Sequence, residues 1–193
     1  MEPTSTIVWT VARSEAELTA AISTDARIIF GNDIALNAAG STSSVFTISG
    51  VTGLVIDGAG HTLGFSSSSS SNGRIFSIGS SSEVELKNLT LTNGYVYSSS
   101  SNAQGGAIFC DDSILVMISC DLSSNTVYAS WAYGGYGGAL YSSGDSEVTM
   151  YECAISDNAA AVSSRPYGGA IFAQDGKLVM TSCDLSGNTA TSK

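Results

Sequence analysis

The sequence predicts an all-β fold, a single-stranded parallel β-helix in which each repeat of the chain forms one rung. Three observations support it: a repeat of about 31 residues, apolar residues that alternate along short segments, and 21 glycines with only 12% charged residues. A Gly-Gly-Ala motif begins at Gly105, Gly137 and Gly168, at intervals of 32 and 31 residues. A repeat of this size cannot bury its apolar side chains alone, whereas stacked repeats can.

Each copy continues into an alternating strand and a second motif, which begins with cysteine and ends with asparagine. This motif occupies Cys120–Asn125, Cys153–Asn158 and Cys183–Asn188. Weaker copies lie upstream at Val84–Asn93, which places Leu89 in the cysteine column, and at Leu54–Leu63. We therefore predict rungs over residues 45–193. Strand alternation points one set of side chains inward: Leu115, Met117, Cys120 and Leu122. It points Val116, Ile118 and Asp121 outward.

Two columns of residues suit the corners between strands. The paired glycines are typical of a turn that needs a positive φ. Asn125, Asn158 and Asn188 suit a corner where stacked amides hydrogen-bond along the helix axis. We assign these asparagines a structural role.

Residues 1–44 differ from the repeats and are predicted to form an N-terminal cap. Ser14 and Glu17 have the spacing of a capping box, so we predict a helix over about 14–23 with Leu18, Ala21 and Ile22 on one face. Short strands are predicted over 26–30 and 33–36. No equivalent cap is evident after the last rung, and an open rung is prone to association. We therefore expect further rungs of a longer protein, or another chain, to cover that end.

Charge and hydropathy exclude two classes of partner. The chain has 7 Lys and Arg residues against 17 Asp and Glu, with a net charge of -10, so we expect no nucleic acid. No apolar run approaches the roughly 18 residues of a membrane-spanning helix.

The repeat motifs resemble those of the adhesin-type right-handed β-helices of the pectin-lyase-like superfold. In particular, they are similar to chlamydial polymorphic outer membrane protein repeats, marked by a Gly-Gly-Ala-Ile and a Phe-x-x-Asn segment. The first segment matches at Gly105, Gly137 and Gly168. The second departs from the pattern, because Leu122, Ile155 and Leu185 occupy the phenylalanine position. The resemblance implies a right-handed helix and an extracellular or cell-surface location. It leaves function open, because this superfold hosts lyases, hydrolases, epimerases and adhesins.

An enzyme of this superfold would need clustered catalytic carboxylates. Asp121 and Asp184 share one column with Ala154 between them, about 9–10 Å apart at two rung spacings. This separation approaches the range of an inverting glycosidase. Asp121 and Asp184 are therefore the candidate catalytic residues of the alternative reading, a polysaccharide lyase or glycosidase-like enzyme.

Three aspartates lie at nearly equivalent turn positions: Asp112, Asp145 and Asp175. They are candidate Ca²⁺ ligands, since Ca²⁺ prefers oxygen donors, although aspartate also favours turns by itself. No other cofactor is expected. The only histidine, His61, has Asp57 as its obvious partner and is interpreted as structural.

The four cysteines contain no C-x-x-C pair that would indicate zinc. Cys120, Cys153 and Cys183 recur at one inward position, where cysteine acts as a small apolar residue. Cys110 has no counterpart. We predict that all four are free thiols.

Variable segments between each asparagine corner and the next Gly-Gly pair are predicted to be loops that lie side by side on one face. They span Gly94–Gln104, Thr126–Tyr136 and Ala159–Tyr167 and are rich in aromatic residues. Such a surface, with serine, glycine and asparagine, is typical of recognition sites, although the aromatics could instead cover the outside of the rod. The candidate binding residues are Tyr95, Tyr97, Tyr128, Trp131, Tyr133, Tyr136, Arg165 and Tyr167. The favoured function is a non-catalytic structural, adhesion or assembly module that binds a protein or glycan.

Overall fold

The computed structural model describes residues 7–130, 133–163 and 165–192, and it shows the predicted parallel β-helix of about five turns. Among these residues the paired strands all run parallel, and an isolated antiparallel bridge joins Gly73 to Tyr95. Successive strands of each sheet come from successive repeats. The repeat in the sequence is therefore the rung of the structure.

The N-terminal part contains one helix and three short strands. They are β1 (Thr10–Ala12), α1 (Glu15–Ala21), β2 (Arg27–Phe30) and β3 (Ile34–Ala35). The N-cap half of the predicted capping box is present, since Ser14 Oγ accepts a hydrogen bond from the N–H of Glu17 at 3.2 Å, while the Glu17 carboxylate accepts from the N–H of Arg13 at 2.6 Å. Leu18 is fully buried against the core. Strand β2 pairs with the strand Leu54–Asp57 of the first repeat, so the parallel stack already begins within this part of the chain.

The repeats supply the remaining strands. In chain order they are β4 (Ser44–Ser49), β5 (Leu54–Asp57), β6 (Thr62–Gly64), β7 (Arg74–Gly79), β8 (Glu83–Lys87), β9 (Thr90–Thr92), β10 (Tyr95–Ser98), β11 (Ala103–Gln104), β12 (Ile108–Asp111), β13 (Ile114–Ile118), β14 (Asp121–Ser123), β15 (Thr126–Ala129), β16 (Gly134–Tyr136), β17 (Leu140–Ser143), β18 (Glu147–Tyr151), β19 (Ala154–Ser156), β20 (Ala159–Val162), β21 (Arg165–Tyr167), β22 (Ile171–Ala173), β23 (Lys177–Thr181), β24 (Asp184–Ser186) and β25 (Thr189–Ser192).

Three sheets form the walls of the rod and enclose its core. Sheet A has the order β1-β2-β5-β8-β13-β18-β23, sheet B the order β24-β19-β14-β9-β6-β3, and sheet C the order β22-β17-β12-β7-β4. Along β13 the side chains alternate as predicted: Leu115 and Met117 are fully buried, whereas Val116 and Ile118 are half-buried on the outside. The cysteine column is also confirmed, with Leu89 and Cys120 both buried.

The asparagine ladder is confirmed and runs in one direction. The main-chain N–H and the side-chain amide of Asn125 donate to Oδ1 of Asn158 at 2.9 and 3.1 Å. Asn158 donates in the same way to Oδ1 of Asn188, at 3.0 Å for both bonds. Asn125 and Asn158 are fully buried. Each asparagine thus satisfies the main chain of the rung before it.

The Gly-Gly corners have the predicted positive φ, and close packing gives a second reason for glycine at these positions. The first glycine of each pair has a positive φ, 64° at Gly137. A Cβ at Gly137 would in addition overlap the carbonyl oxygen of Leu140. The second glycine is required by close packing, because a Cβ at Gly106 would overlap the carbonyl oxygen of Gly138. The corner therefore excludes side chains for two separate reasons.

The predicted variable loops are in fact strands, which corrects the sequence interpretation. They form two further sheets, sheet D with the order β10-β15-β20-β25 and sheet E with the order β11-β16-β21. We call these two sheets the lateral extension. A second apolar cluster, separate from the main core, is formed by their buried residues: Val96, Ala103, Val127, Ala129, Ala160 and Val162.

Candidate functional site

The lateral extension places the predicted aromatic residues on two outer faces rather than on one. Val96 points into the apolar cluster, so its neighbours Tyr95 and Tyr97 point away from it on sheet D. Tyr97 stacks on Tyr128, with ring centroids 5.6 Å apart and planes 17° from parallel. Burial raises the pKa of Tyr95, as do the neighbouring Tyr128 and Tyr97 to a smaller extent. These three rings form the sheet D face.

The sheet E face carries Tyr136 and Tyr167, stacked with centroids 5.2 Å apart and planes 11° from parallel. Tyr133 is 37% exposed just before β16. Arg165 is exposed and pairs in register with Gly134. Trp131 lies outside the described residues, so its place in the predicted binding set remains a prediction.

Sequence reasoning missed a second aromatic column, on sheet C. The rings of Phe109 and Tyr141 stack at 5.3 Å, and those of Tyr141 and Phe172 at 5.9 Å. Tyr136 packs edge-on against Tyr141 at 6.2 Å and against Phe172 at 5.0 Å. We call the set Phe109, Tyr136, Tyr141, Tyr167 and Phe172 the aromatic corner. Its signal was present in the repeat, since the fifth residue of each Gly-Gly-Ala segment is aromatic.

The rings of the aromatic corner stack along the helix axis and therefore cover one another's faces. Arg74 covers the Phe109 ring from the preceding rung, with its guanidinium carbon 5.1 Å from the centroid. Its guanidinium also donates to the carbonyl oxygens of Gln104 at 2.7 Å and Gly105 at 3.0 Å, and to Ser44 Oγ at 3.0 Å. Burial lowers the pKa of Arg74 to about 10, so it remains charged at neutral pH. The corner thus joins the lateral extension to the body of the rod.

Exposure separates the structural rings from those open to a ligand. Tyr141 is only 4% exposed, its hydroxyl lies 3.2 Å from Gln174 Oε1, and burial raises its pKa. Tyr167 is 43% exposed. Tyr141 is therefore an aromatic residue that covers the outside of the rod rather than one open to a ligand. The exposed edge of the extension, Tyr133, Arg165 and Tyr167, is the part that remains accessible.

The candidate catalytic aspartates occupy the predicted positions two rungs apart. Asp121 pairs in register with Ala154, and Ala154 pairs with Asp184. Oδ1 of Asp121 is buried without a hydrogen-bond partner among the described residues. It lines a shallow depression with Thr90 and Glu152, and Asp184 is not among the residues that line it. The structure therefore does not bring Asp121 and Asp184 together in one depression.

Of the candidate Ca²⁺ ligands, Asp112 and Asp145 line one depression with Glu83, whereas Asp175 does not line it. Asp112 Oδ1 accepts a hydrogen bond from the N–H of Asp145 at 2.9 Å, which is a turn interaction. Asp175 is exposed in the corresponding turn of the last rung. Among residues 7–130, 133–163 and 165–192, no group of three or more Asp, Glu, His or Cys side chains could hold a metal ion.

Comparison with known families settles the fold. A family model described as a right handed beta helix region matches residues 32–192. This chain belongs to that right-handed β-helix family. No curated protein and no solved structure matches it significantly. Membership establishes the handedness and architecture, and it favours neither binding nor catalysis, because one fold carries many functions.

Within this right-handed β-helix, His61 and Asp57 each lie against a different charged residue. His61 lies against Asp33, with Nδ1 to Oδ1 at 3.2 Å, rather than against Asp57 as the sequence suggested. The N–H of Thr62 donates to the same oxygen at 2.9 Å, and this bond, followed by that of His61, lowers the pKa of Asp33. Asp57 instead pairs with Lys87 at 3.6 Å.

The four cysteines are free thiols in the structure. Burial raises the pKa of Cys110 to about 11. Of the column residues, Cys120 and Cys153 are 2% exposed, whereas Cys183 is half-buried in the last rung. As for membranes, the described part of the chain contains no helix with the length and apolar character to span one.

Proposed function

We propose that this chain is a non-catalytic structural module of a secreted or cell-surface protein, of adhesin type, and that it binds a protein or glycan through the exposed edge of the lateral extension. The observation that carries the proposal is the set Tyr133, Arg165 and Tyr167, exposed together on and beside sheet E. Tyrosine and arginine are enriched among residues that dominate binding energy. The surface location rests on the resemblance of the repeats to those of surface proteins.

The edge is also held rigidly, which favours binding. Tyr167 rests on Tyr136 at 5.2 Å and on Phe172 at 5.9 Å, so little side-chain freedom remains to be lost when a ligand binds. Sheet E is in turn anchored by its own apolar cluster with sheet D. A preorganised aromatic edge flanked by a cation fits a polar ligand with apolar faces.

The test measures ligand binding by three proteins on a glycan array and on a panel of purified surface and secreted proteins. They are the unmodified chain, the double variant Tyr133→Ala/Tyr167→Ala, and the control Tyr151→Ala. Tyr151 is also 43% exposed but lies on sheet A. We expect a ligand whose affinity falls at least tenfold in the double variant and is unchanged in the control. Equal binding by all three proteins, or no ligand on either panel, contradicts the proposal.

One observation favours the enzymatic alternative, namely that the buried Oδ1 of Asp121 has no hydrogen-bond partner in the part of the chain that the structure describes. Buried polar atoms without partners are uncommon and point to a missing interaction. Cleavage of an acidic polysaccharide by the chain, abolished by Asp121→Asn with folding intact, would establish this alternative. Absence of cleavage across a panel of acidic polysaccharides would remove it.

A further inference from the structure

Two columns of sulfur-containing side chains run side by side in the core, where sheet A turns into sheet B. In both columns leucine is replaced by a sulfur residue at the same rung. The first column is Leu86, Met117 and Met150, and the second is Leu89, Cys120 and Cys153. All six side chains are at most 2% exposed. Thioether and thiolate sulfur are the soft ligands that favour Cu(I) over harder cations.

The thiols of Cys120 and Cys153 lie one rung apart in the same orientation. The strands that lead to them are in register, with Ile118 opposite Tyr151. Each Sγ lies against the carbonyl oxygen two residues earlier, at 3.5 Å in Cys120 and 3.3 Å in Cys153. Each also lies against a carbonyl oxygen of the preceding rung, at 3.4 and 3.7 Å. Because the two side chains have matching contacts, their sulfurs are separated by about the 4.8 Å between neighbouring strands.

This spacing is too long for a disulfide and suits an ion held between the sulfurs. A disulfide needs Cβ atoms about 3.8 Å apart, whereas matching side chains on neighbouring strands keep their Cβ atoms about 4.8 Å apart. An ion midway would lie about 2.4 Å from each sulfur, close to the roughly 2.3 Å of a zinc–thiolate bond.

The number of ligands selects the ion. Zinc takes four ligands, and in residues 7–130, 133–163 and 165–192 no group of three or more Asp, Glu, His or Cys side chains could hold a metal ion. A soft univalent cation such as Cu(I) forms linear complexes with two thiolates, so two sulfurs are sufficient.

The two thiols also interact directly. A hydrogen bond between them lowers the pKa of Cys153 and, together with burial, raises the pKa of Cys120. The fourth cysteine, Cys110, is equally buried but has Ile78 and Ser142 as its neighbours in register. Cys110 is therefore a buried thiol without a second thiol beside it in its column.

A route from solvent to the thiols is present outside the corner between sheets A and B. Cys120 lines the shallow depression there together with Asp121 and Glu152. Oδ1 of Asp121 is buried and has no hydrogen-bond partner in the described part of the chain. Two carboxylates at the mouth of a depression raise the local concentration of cations. The depression thus favours the approach of a cation to Cys120.

We propose that Cys120 and Cys153 form a binding site for one soft univalent cation, Cu(I), held linearly between their sulfurs. Each ion displaces the two thiol protons to water, and no electron is transferred. The neighbouring Met117 and Met150 provide an apolar, thioether-lined surrounding that disfavours hard, strongly hydrated cations. This site lies in the core, away from the exposed edge of the lateral extension, so each proposal can fail alone.

The experiment is an anaerobic titration of the whole chain with Cu(I) in competition with bicinchoninate, a coloured Cu(I) chelator. It compares the unmodified chain with Cys153→Ser and with the matched control Cys110→Ser. Cys183 continues the column in register after Cys153, so Cys153→Ser leaves Cys120 and Cys183 about 9–10 Å apart. We expect one ion per chain, an affinity lower by about a hundredfold or more in Cys153→Ser, and no change in the control.

A second variant and a second measurement keep the test independent of folding defects. The double variant Cys120→Ala/Cys183→Ala leaves Cys153 without a neighbouring thiol and should lose the same affinity. Cu(I) should also raise Tm of the unmodified chain and of Cys110→Ser, because a ligand of the folded state stabilises it. Equal affinity in all four proteins overturns the proposal. A fall in Tm of the unmodified chain on adding Cu(I) also overturns it, because the ion would then bind the unfolded chain.

Discussion

Replacing Asn158 by alanine removes the central member of the asparagine ladder. Its side-chain amide donates to the carbonyl oxygen of Leu122 at 2.8 Å and to Asn188 Oδ1 at 3.0 Å. Its Oδ1 accepts from the main-chain N–H and the amide of Asn125 at 2.9 and 3.1 Å. Asn158 and Asn125 are fully buried, so water cannot readily replace these bonds.

The expected cost follows from the four hydrogen bonds lost. At about 1 kcal/mol each, they contribute about 4 kcal/mol, and unsatisfied buried donors on Asn125 cost about 1–3 kcal/mol each without their acceptor. Allowing for overlap between these two contributions, we expect Asn158→Ala to lower the free energy of unfolding by about 4–6 kcal/mol. This is a large share of the roughly 5–15 kcal/mol that stabilises a typical domain.

Asn188→Ala is the matched control at the open end of the same ladder. Asn188 also makes side-chain hydrogen bonds, to Ile155 and Asn158, but it is only half-buried in the last rung. Removing the half-buried Asn188 side chain opens the freed N–H and amide of Asn158 to water at the last rung, so we expect a loss of about 1–2 kcal/mol. Asn158→Ala thus removes four side-chain hydrogen bonds at a buried position, and Asn188→Ala removes three at a half-buried position.

Urea unfolding followed by far-ultraviolet circular dichroism measures both losses. The reasoning is refuted if Asn158→Ala and Asn188→Ala lower the free energy of unfolding equally. A loss under about 1 kcal/mol for Asn158→Ala would refute it as well, because the buried ladder would then carry no net stability.

Three further substitutions test other parts of the structure. Gly137→Ala should lower Tm by about 10 °C, because residue 137 has a positive φ and the added Cβ would overlap the main chain. Gly60→Ala, with open space around it, should lower Tm by about 3 °C. Equal shifts in Tm would contradict the overlap. Arg74→Lys should lower the free energy of unfolding in urea by about 2–4 kcal/mol, because it removes buried hydrogen bonds. Arg165 is exposed, so Arg165→Lys should change the free energy of unfolding by under about 0.5 kcal/mol. An unchanged stability of Arg74→Lys would show that the aromatic corner does not need the Arg74 guanidinium. The lowered pKa of Asp33 stabilises the fold above its unfolded pKa of about 3.9, and this contribution is lost as pH falls through the lower folded value. Asp33→Asn should therefore flatten the pH dependence of stability below about pH 4, and an unchanged profile would contradict the assigned hydrogen bonds.

The core was predictable from the sequence because in-register stacking makes each column a one-dimensional repeat. Alternation alone identified Leu115, Met117 and Leu122 as buried, and all three are 0% exposed. The asparagine column was predictable for the same reason, since a residue that recurs at every rung must lie beside its own copies. In such a column, residues that are one repeat apart in the sequence are in contact in the structure.

The candidate site was less predictable, because its contacts join different columns. Tyr136 lies against Tyr141 and Phe172 only because the chain folds back at the Gly-Gly corner between sheets E and C. The number of residues in a turn determines whether the side chains of the adjoining strand point inward or outward. The sequence does not determine the length of the turn next to Phe109, so it does not predict the direction of that ring. His61 contacts Asp33 rather than Asp57 because His61 and Asp33 lie in adjacent rungs, although 28 residues separate these two in sequence.

The sequence by itself determined the rung, its core and its ladders, because these depend on a periodic pattern and on the spacing of parallel strands. Only the tertiary structure decided that the variable segments are strands. Segments such as 94–104 and 159–167 contain weak alternation, and they become sheets because neighbouring rungs satisfy their main-chain groups and enclose a second apolar cluster. That pairing divides the predicted aromatic surface between two faces and leaves Tyr133, Arg165 and Tyr167 accessible at one edge. Its physical reason is that a side chain's exposure depends on which strand packs beside it, and this is a property of the assembled stack.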